Sequence, residues 1–229
     1  MANMSTGARP AGIETALPSQ AGRANLAHAQ QAIRYVQQHV PPRQLHRRRQ
    51  PQLHVGREQF SRWLLGRLEQ IWMVTPEMEI PADPIDEWPT TVLVHRLARA
   101  AETCGAGQSG EHAAVAFAYL LQRGVRPLHY MHSVGREHAF VVVGRKAPER
   151  QVEREDLEDD QVGGLLVTPN EPESDIKPES WGADAAICDP WTGVAYRQPE
   201  LINSEYYHDY FPAEAQLHAP LVQDPAFEG

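Results

Sequence analysis

The apolar positions of this chain fall into helical spacing first and strand spacing later. Phe60, Trp63, Leu64, Leu68 and Ile71 recur every three or four residues and predict an amphipathic helix over 57–73. Prolines at 76, 81, 84 and 89 break that pattern. Val92, Leu93, Val94, Leu97 and Ala98 then mark the apolar side of a second helix, ending near Glu102. In a third, Ala113, Phe117, Leu120 and Leu121 share one face, and Gly124 stands where a C-terminal capping glycine belongs. After Gly124 the period changes. Residues 127–134 and 138–144 read as two strands joined through Gly135-Arg136. HAFVVVG is apolar on both parities, as a central strand covered on both faces requires. AAICDPW, residues 185–191, predicts another strand, stopped at Pro190.

Elsewhere the pattern is thin. Residues 1–56 are rich in Ala, Gln, Arg, Pro and His, and the segment from Asn25 to Val40 offers only Leu26, Ala29, Ile33 and Val36 as an apolar face. The expectation there is a disordered arm with one transient helix. The basic run Arg47-Arg48-Arg49 reads as a solvated linker. Residues 145–180 are charged and proline-containing, a long loop interrupted at Leu165–Val167. The aromatic run NSEYYHDYFP is expected to pack over the domain. The pattern therefore predicts a single α+β domain over residues 57–215, between an arm (1–56) and a C-terminal tail (216–229).

Composition narrows the function. Of 229 residues, 41% are hydrophobic and 22% charged, with a net charge of -9. That acidic balance argues against nucleic acid as a partner. No window approaches the 18 apolar residues of a membrane span, and the first residues lack the apolar core of a cleaved signal peptide. Two cysteines, Cys104 and Cys188, are too few for a disulfide framework and point to folding in a reducing compartment.

Three short stretches carry candidate chemistry. In TCGAGQSGEHAAVAFAYLL, Thr103 as N-cap would put Cys104 in the first turn of a helix, where orphan N–H groups and the dipole favour a thiolate. Gly105 and Gly107 make sense there if backbone approaches a substrate, or if the helix proper begins later, at Ser109. The plain alternative is a buried, inert thiol before a core helix. In REHAFVVVG, His138 opens an apolar strand, either as a satisfied core residue or as a base at the sheet rim. In ICDPWTG, Asp189 either orients an imidazole, with Trp191 as a shield, or caps the turn through Gly193. The order cysteine, histidine, aspartate is more specific than any one of them.

These three stretches together resemble the papain-like and transglutaminase-like cysteine hydrolases of bacterial effectors and toxins. The resemblance covers residues 90–193. It implies a papain-like fold, helices packed on a small antiparallel sheet, and a triad of Cys104 as nucleophile, His138 as general base and acid, and Asp189 as orienter. No cofactor and no metal is implied. The implied activity is hydrolysis of an amide, with deamidation of Gln or Asn in a host protein ahead of proteolysis and transglutamination. It implies synthesis in a bacterial cytoplasm, export into a host cell without a cleaved signal peptide, and virulence as the setting. No oxyanion-hole side chain is evident; Gln70 is a poor candidate, and backbone N–H groups at Cys104 or Gly105 are the alternative.

Rival readings use the same residues. A Cys104–Cys188 disulfide is allowed by count, although an Asp189 facing the histidine sends Cys188 to the other face of its strand. A metal set of Cys104, His112, His129, His132 and His138 lacks any CxxC or HExxH spacing, and His129 and His132 fall on opposite faces of one strand. An adaptor without catalysis is the third rival, with the acidic run 149–160 as its docking segment.

Overall fold

The structure is a computed structural model, and it describes residues 17–41, 90–134, 138–145, 165–166, 176–211 and 216–223. Three long helices lie in chain order: α1 (Gln20–His39), α2 (Thr90–Cys104) and α3 (Ser109–Gln122). Strands β1 (Leu128–Val134), β2 (His138–Val143), β3 (Leu165–Leu166), β4 (Ala186–Asp189) and β5 (Val194–Arg197) follow. Two short helices, α4 (Gln198–Leu201) and α5 (Glu205–Tyr210), precede the last strand, β6 (Gln216–Gln223). The strands form one sheet in the order β3-β6-β1-β2-β4-β5, and every pairing is antiparallel. The mixed helix-and-strand class agrees with the sequence.

Alternation along the inner strands divides the core into two layers. Ala139, Val141 and Val143 of β2, with Leu128, Tyr130, Ala186 and Cys188, pack under the three long helices. Phe140 and Val142, with Met131 and Ile187, face the other way against Trp181, Leu201, Tyr206 and Phe211. β2 is buried at all six positions, which is why its apolar run shows no alternation in sequence. Tyr206 and Phe211 belong to the aromatic run NSEYYHDYFP, which packs over the sheet as expected.

Two expected boundaries are corrected. The segment 1–56 is not all arm: α1 lies within it, with Ala29, Ala32, Ile33 and Val36 buried against the sheet. Alanines carry little hydrophobic signal, yet their small size lets a helix settle close to the strands. Ser19 caps α1 by accepting from the Gly22 N–H at 2.9 Å. Asn25 ties its flank down by donating to the Asp184 carbonyl at 2.9 Å. The domain therefore starts before residue 57. At the other end, 216–223 is not tail but β6, between β3 and β1. Pro220 hid that strand, since proline interrupts a ladder. It falls where the β1–β6 register shifts, between the pairs Tyr130–Leu221 and His132–His218, so its missing N–H costs no pairing. The helix predicted over 57–73, the Gly135-Arg136 connection and the acidic run 149–160 lie outside the described residues.

Candidate functional site

The site forms at the end of the sheet where β2 begins and β4 ends. Because α3 leads through a short turn into β1, it runs back along that strand, and its first residues come to the same end. The Tyr130 hydroxyl donates to the Gly110 carbonyl at 3.2 Å across that junction. At the far end of α3 Gly124 takes φ +67°, ending the helix as its position in the sequence predicts.

Asp189 is the centre of the arrangement and is fully buried. His138 Nε2 donates to its Oδ2 at 2.7 Å. Tyr206 donates to the same oxygen at 2.6 Å and the Thr192 hydroxyl at 2.7 Å. Oδ1 accepts from the Trp191 N–H at 3.1 Å and the Thr192 N–H at 3.3 Å. One carboxylate thus does both things foreseen for it: it caps the turn that closes at Gly193, and it holds an imidazole. Burial pushes its pKa up, but the bonds from His138, Tyr206 and Thr192 outweigh burial and hold it below the usual carboxylate value. Tyr206 is pushed well above the ordinary phenol value, by burial and by the charge of Asp189, and therefore stays a donor.

The His138–Asp189 bond fixes a tautomer. An ionised carboxylate only accepts, so Nε2 carries the proton, and Nδ1 is left to exchange protons. The ring of His138 lies against Tyr210, with centroids 4.5 Å apart, and against Phe140 at 6.1 Å. Both ring contacts put it on the face of the sheet opposite the three long helices.

Cys104 differs most from its expected setting. It is the last residue of α2, not the first of a helix. Gly105 takes φ +62° and bonds its N–H back to the Ala101 carbonyl at 2.9 Å, which closes the helix. Thr103 does not cap; its hydroxyl donates to the Arg99 carbonyl at 2.8 Å within the last turn. The Cys104 thiol donates to the carbonyls of Ala106 at 3.2 Å and Ala101 at 3.6 Å. At that end the helix dipole turns its negative pole toward the sulfur. Cys104 packs against the helical layer, and the contacts of His138 among the described residues do not include it. The residue that opens a helix at the sheet rim is Ser109, with Gln108 extended before it and Glu111 accepting from the Gln108 N–H at 2.7 Å.

Cys188 is buried in the helical layer and donates to the Ala29 carbonyl at 3.5 Å. Alternation does send it away from Asp189, but to the same layer as Cys104; the two are not joined in a disulfide. Burial, and then the charge of Asp189, push its pKa far up. The Trp191 ring lies 5.3 Å from that of His112. Burial lowers the pKa of His112, against the opposing pull of Glu111, the Val40 carbonyl and Asp189. His129 is held neutral by burial and by Arg145, its pKa lowered to about 3; Arg145 Nη1 donates to its Nδ1 at 2.9 Å. Among the described residues no three His, Cys, Asp or Glu side chains converge to hold a metal ion, so the five-residue rival set is not assembled.

The sequence missed Tyr206 and Thr192, the two side chains that share Asp189 with the imidazole. Thr192 was readable, because a hydroxyl three residues after Asp in a turn commonly folds back on it. Nothing in the local pattern around Tyr206 announces its hydrogen bond. No helix among the described residues is long and apolar enough to cross a membrane. What fold and site define together is a mixed helix-and-strand protein with an antiparallel sheet and a buried histidine–aspartate pair at its rim. Comparison of the chain with family models, with curated proteins and with solved structures finds no match.

Proposed function

We propose that the chain is a papain-like, cysteine-dependent amide hydrolase, a bacterial effector that deamidates Gln or Asn of a host protein. The observation that carries this reading is the buried His138–Asp189 pair, with Nε2 anchored at 2.7 Å and Nδ1 left for proton exchange. Nδ1 takes the proton of the Cys104 thiol, and the thiolate attacks the carboxamide carbon. The C–N bond breaks as Nδ1 returns the proton and ammonia leaves. Water then hydrolyses the thioester, giving the acid and the thiol. The reading requires the Cys104 thiol to leave the Ala101 and Ala106 carbonyls and the helical layer and to reach His138 at the sheet rim when substrate binds.

A second reading is favoured by one observation: Ser109, not Cys104, begins the helix whose first turn lies at the rim. There a hydroxyl would be the nucleophile, set in the first turn of α3 at the positive end of the helix dipole. One experiment separates the two readings. Intact-protein mass spectrometry of a candidate host protein is run with the wild-type chain and with Cys104→Ala, Ser109→Ala and His138→Ala. A one-dalton amide-to-acid gain lost in Cys104→Ala and His138→Ala supports the thiol enzyme. Loss in Ser109→Ala with Cys104→Ala active moves the nucleophile to the hydroxyl. Fragments or a cross-linked adduct would reassign the reaction to proteolysis or transglutamination. Binding without any mass change, alike in all variants, would leave an adaptor.

A further inference from the structure

The side chains around His138 close into a circuit. Nε2 donates to Asp189 Oδ2 at 2.7 Å, and the Tyr206 hydroxyl donates to the same oxygen at 2.6 Å. The ring of Tyr206 stacks on that of Tyr210, with centroids 4.5 Å apart and planes 24° from parallel. The ring of Tyr210 in turn lies 4.5 Å from that of His138, tilted by 40°. Tyr206 and Tyr210 stand four residues apart on α5, so both project from one face of it. One turn of helix thus reaches the carboxylate with a hydroxyl and the imidazole with a ring. α5 is fixed at both ends. Ser204 accepts from the Tyr207 N–H at 3.2 Å, and the Phe211 N–H bonds back to the Tyr207 carbonyl at 2.8 Å. Phe211 is buried against Phe140 and Trp181.

The circuit bears on one moment of the reaction. When Nδ1 takes the proton of the nucleophile, the neutral imidazole becomes an imidazolium and the nucleophile an anion. His138 is only 4% exposed, so water does little to solvate the new positive charge. Asp189 meets that charge along one edge of the ring. The faces of the ring depend on their neighbours, and the π face of an aromatic side chain within about 6 Å attracts a cation. We propose that Tyr210 is a positioning residue of this site: its ring, held by α5 against the imidazole, steadies His138 on Asp189 and favours the protonated form that the reaction creates. Phe140, with its ring centroid 6.1 Å from that of His138, lies at the limit of such a contact, and Tyr210 lies well inside it. Among the described residues, the titratable groups that meet His138 are Asp189 from β4 and Tyr210 from α5, with Tyr206 behind them. Ser133, its partner on β1, carries no charge. The inference rests on the amide-hydrolase reading, in which His138 is the base, and it holds whether Cys104 or Ser109 gives up the proton.

The test needs no turnover and uses the full chain. The ¹⁵N and ¹H signals of the His138 ring are followed from about pH 4 to pH 9 in wild type, Tyr210→Phe, Tyr210→Leu and Tyr210→Met. The two variants without a ring should protonate His138 about 0.5–1.5 pH units lower than wild type, the range of a cation–π contact. Tyr210→Phe keeps the π face and should titrate with wild type. Two ring-free variants keep the test decisive if one of them fails to fold. A folded Tyr210→Leu or Tyr210→Met that titrates with wild type would overturn the role given to Tyr210, since lost packing alone would leave the titration unmoved. A shift in Tyr210→Phe as large as in Tyr210→Leu would place the effect in the hydroxyl and overturn it too. The expected shifts, with no amide-to-acid conversion of any protein by the wild type, would sink the hydrolase reading and leave the hold of Tyr210 on His138 standing.

Discussion

Replacing Tyr206 by Phe removes one hydrogen bond and almost nothing else. The phenol donates to Asp189 Oδ2 at 2.6 Å, and its ring, stacked on Tyr210 with centroids 4.5 Å apart, stays packed after the change. A buried bond to a charged acceptor is worth about 1.5–3 kcal/mol. In a domain of this size each kcal/mol moves the melting temperature by about 2–4 °C, so Tyr206→Phe should melt roughly 3–12 °C lower at neutral pH. The loss must depend on pH. Asp189 has its folded pKa depressed, so the stability it contributes is complete above the ordinary carboxylate value and is lost as pH falls through the folded one. Tyr206→Phe weakens the depression and thus the part of stability that acid removes. Urea unfolding of both proteins from neutral pH down to about pH 3 is the assay. The two stabilities should converge toward the acid end. A difference under about 0.5 kcal/mol at neutral pH, or one that is constant with pH, would refute the role given to this bond.

Three further outcomes are expected. Ile33→Ala on α1 should cost about 2–4 kcal/mol in urea unfolding, because Ile33 is buried in the helical layer; a change under 0.5 kcal/mol would return α1 to the status of a loose arm. Gly144→Ala should destabilise by more than about 1 kcal/mol, since Gly144 has φ +78° and a Cβ there would lie 2.0 Å from Asn25 Nδ2; equal thermal melting of the two proteins would contradict that crowding. Iodoacetamide should modify Cys104 in the native protein and reach Cys188 only on unfolding, because Cys188 is fully buried with its thiol pKa pushed up. Equal native rates by peptide mass spectrometry would refute the burial.

The sequence reported the elements whose burial is lopsided or complete. α2 and α3 show wide apolar stripes, and β2 is apolar throughout, so their bounds were nearly right. α1 escaped because its contact face is mostly alanine, and β6 because Pro220 sits in it. Within the site, His138 and Asp189 were legible because polar residues at the ends of apolar strands are conspicuous. Cys104 was misplaced because Thr-Cys-Gly reads equally well as the start of one helix and the end of another. Only the left-handed Gly105, bonded back to Ala101, decides between them.

The most direct test of the central claim is peptide mass spectrometry of host-cell protein exposed to the wild-type chain or to His138→Ala, with every Gln and Asn scored for conversion to acid. The account predicts at least one site converted by the wild type and reduced at least a hundredfold by the variant, as loss of general acid–base catalysis implies. Conversion at the same rate with both proteins would contradict it.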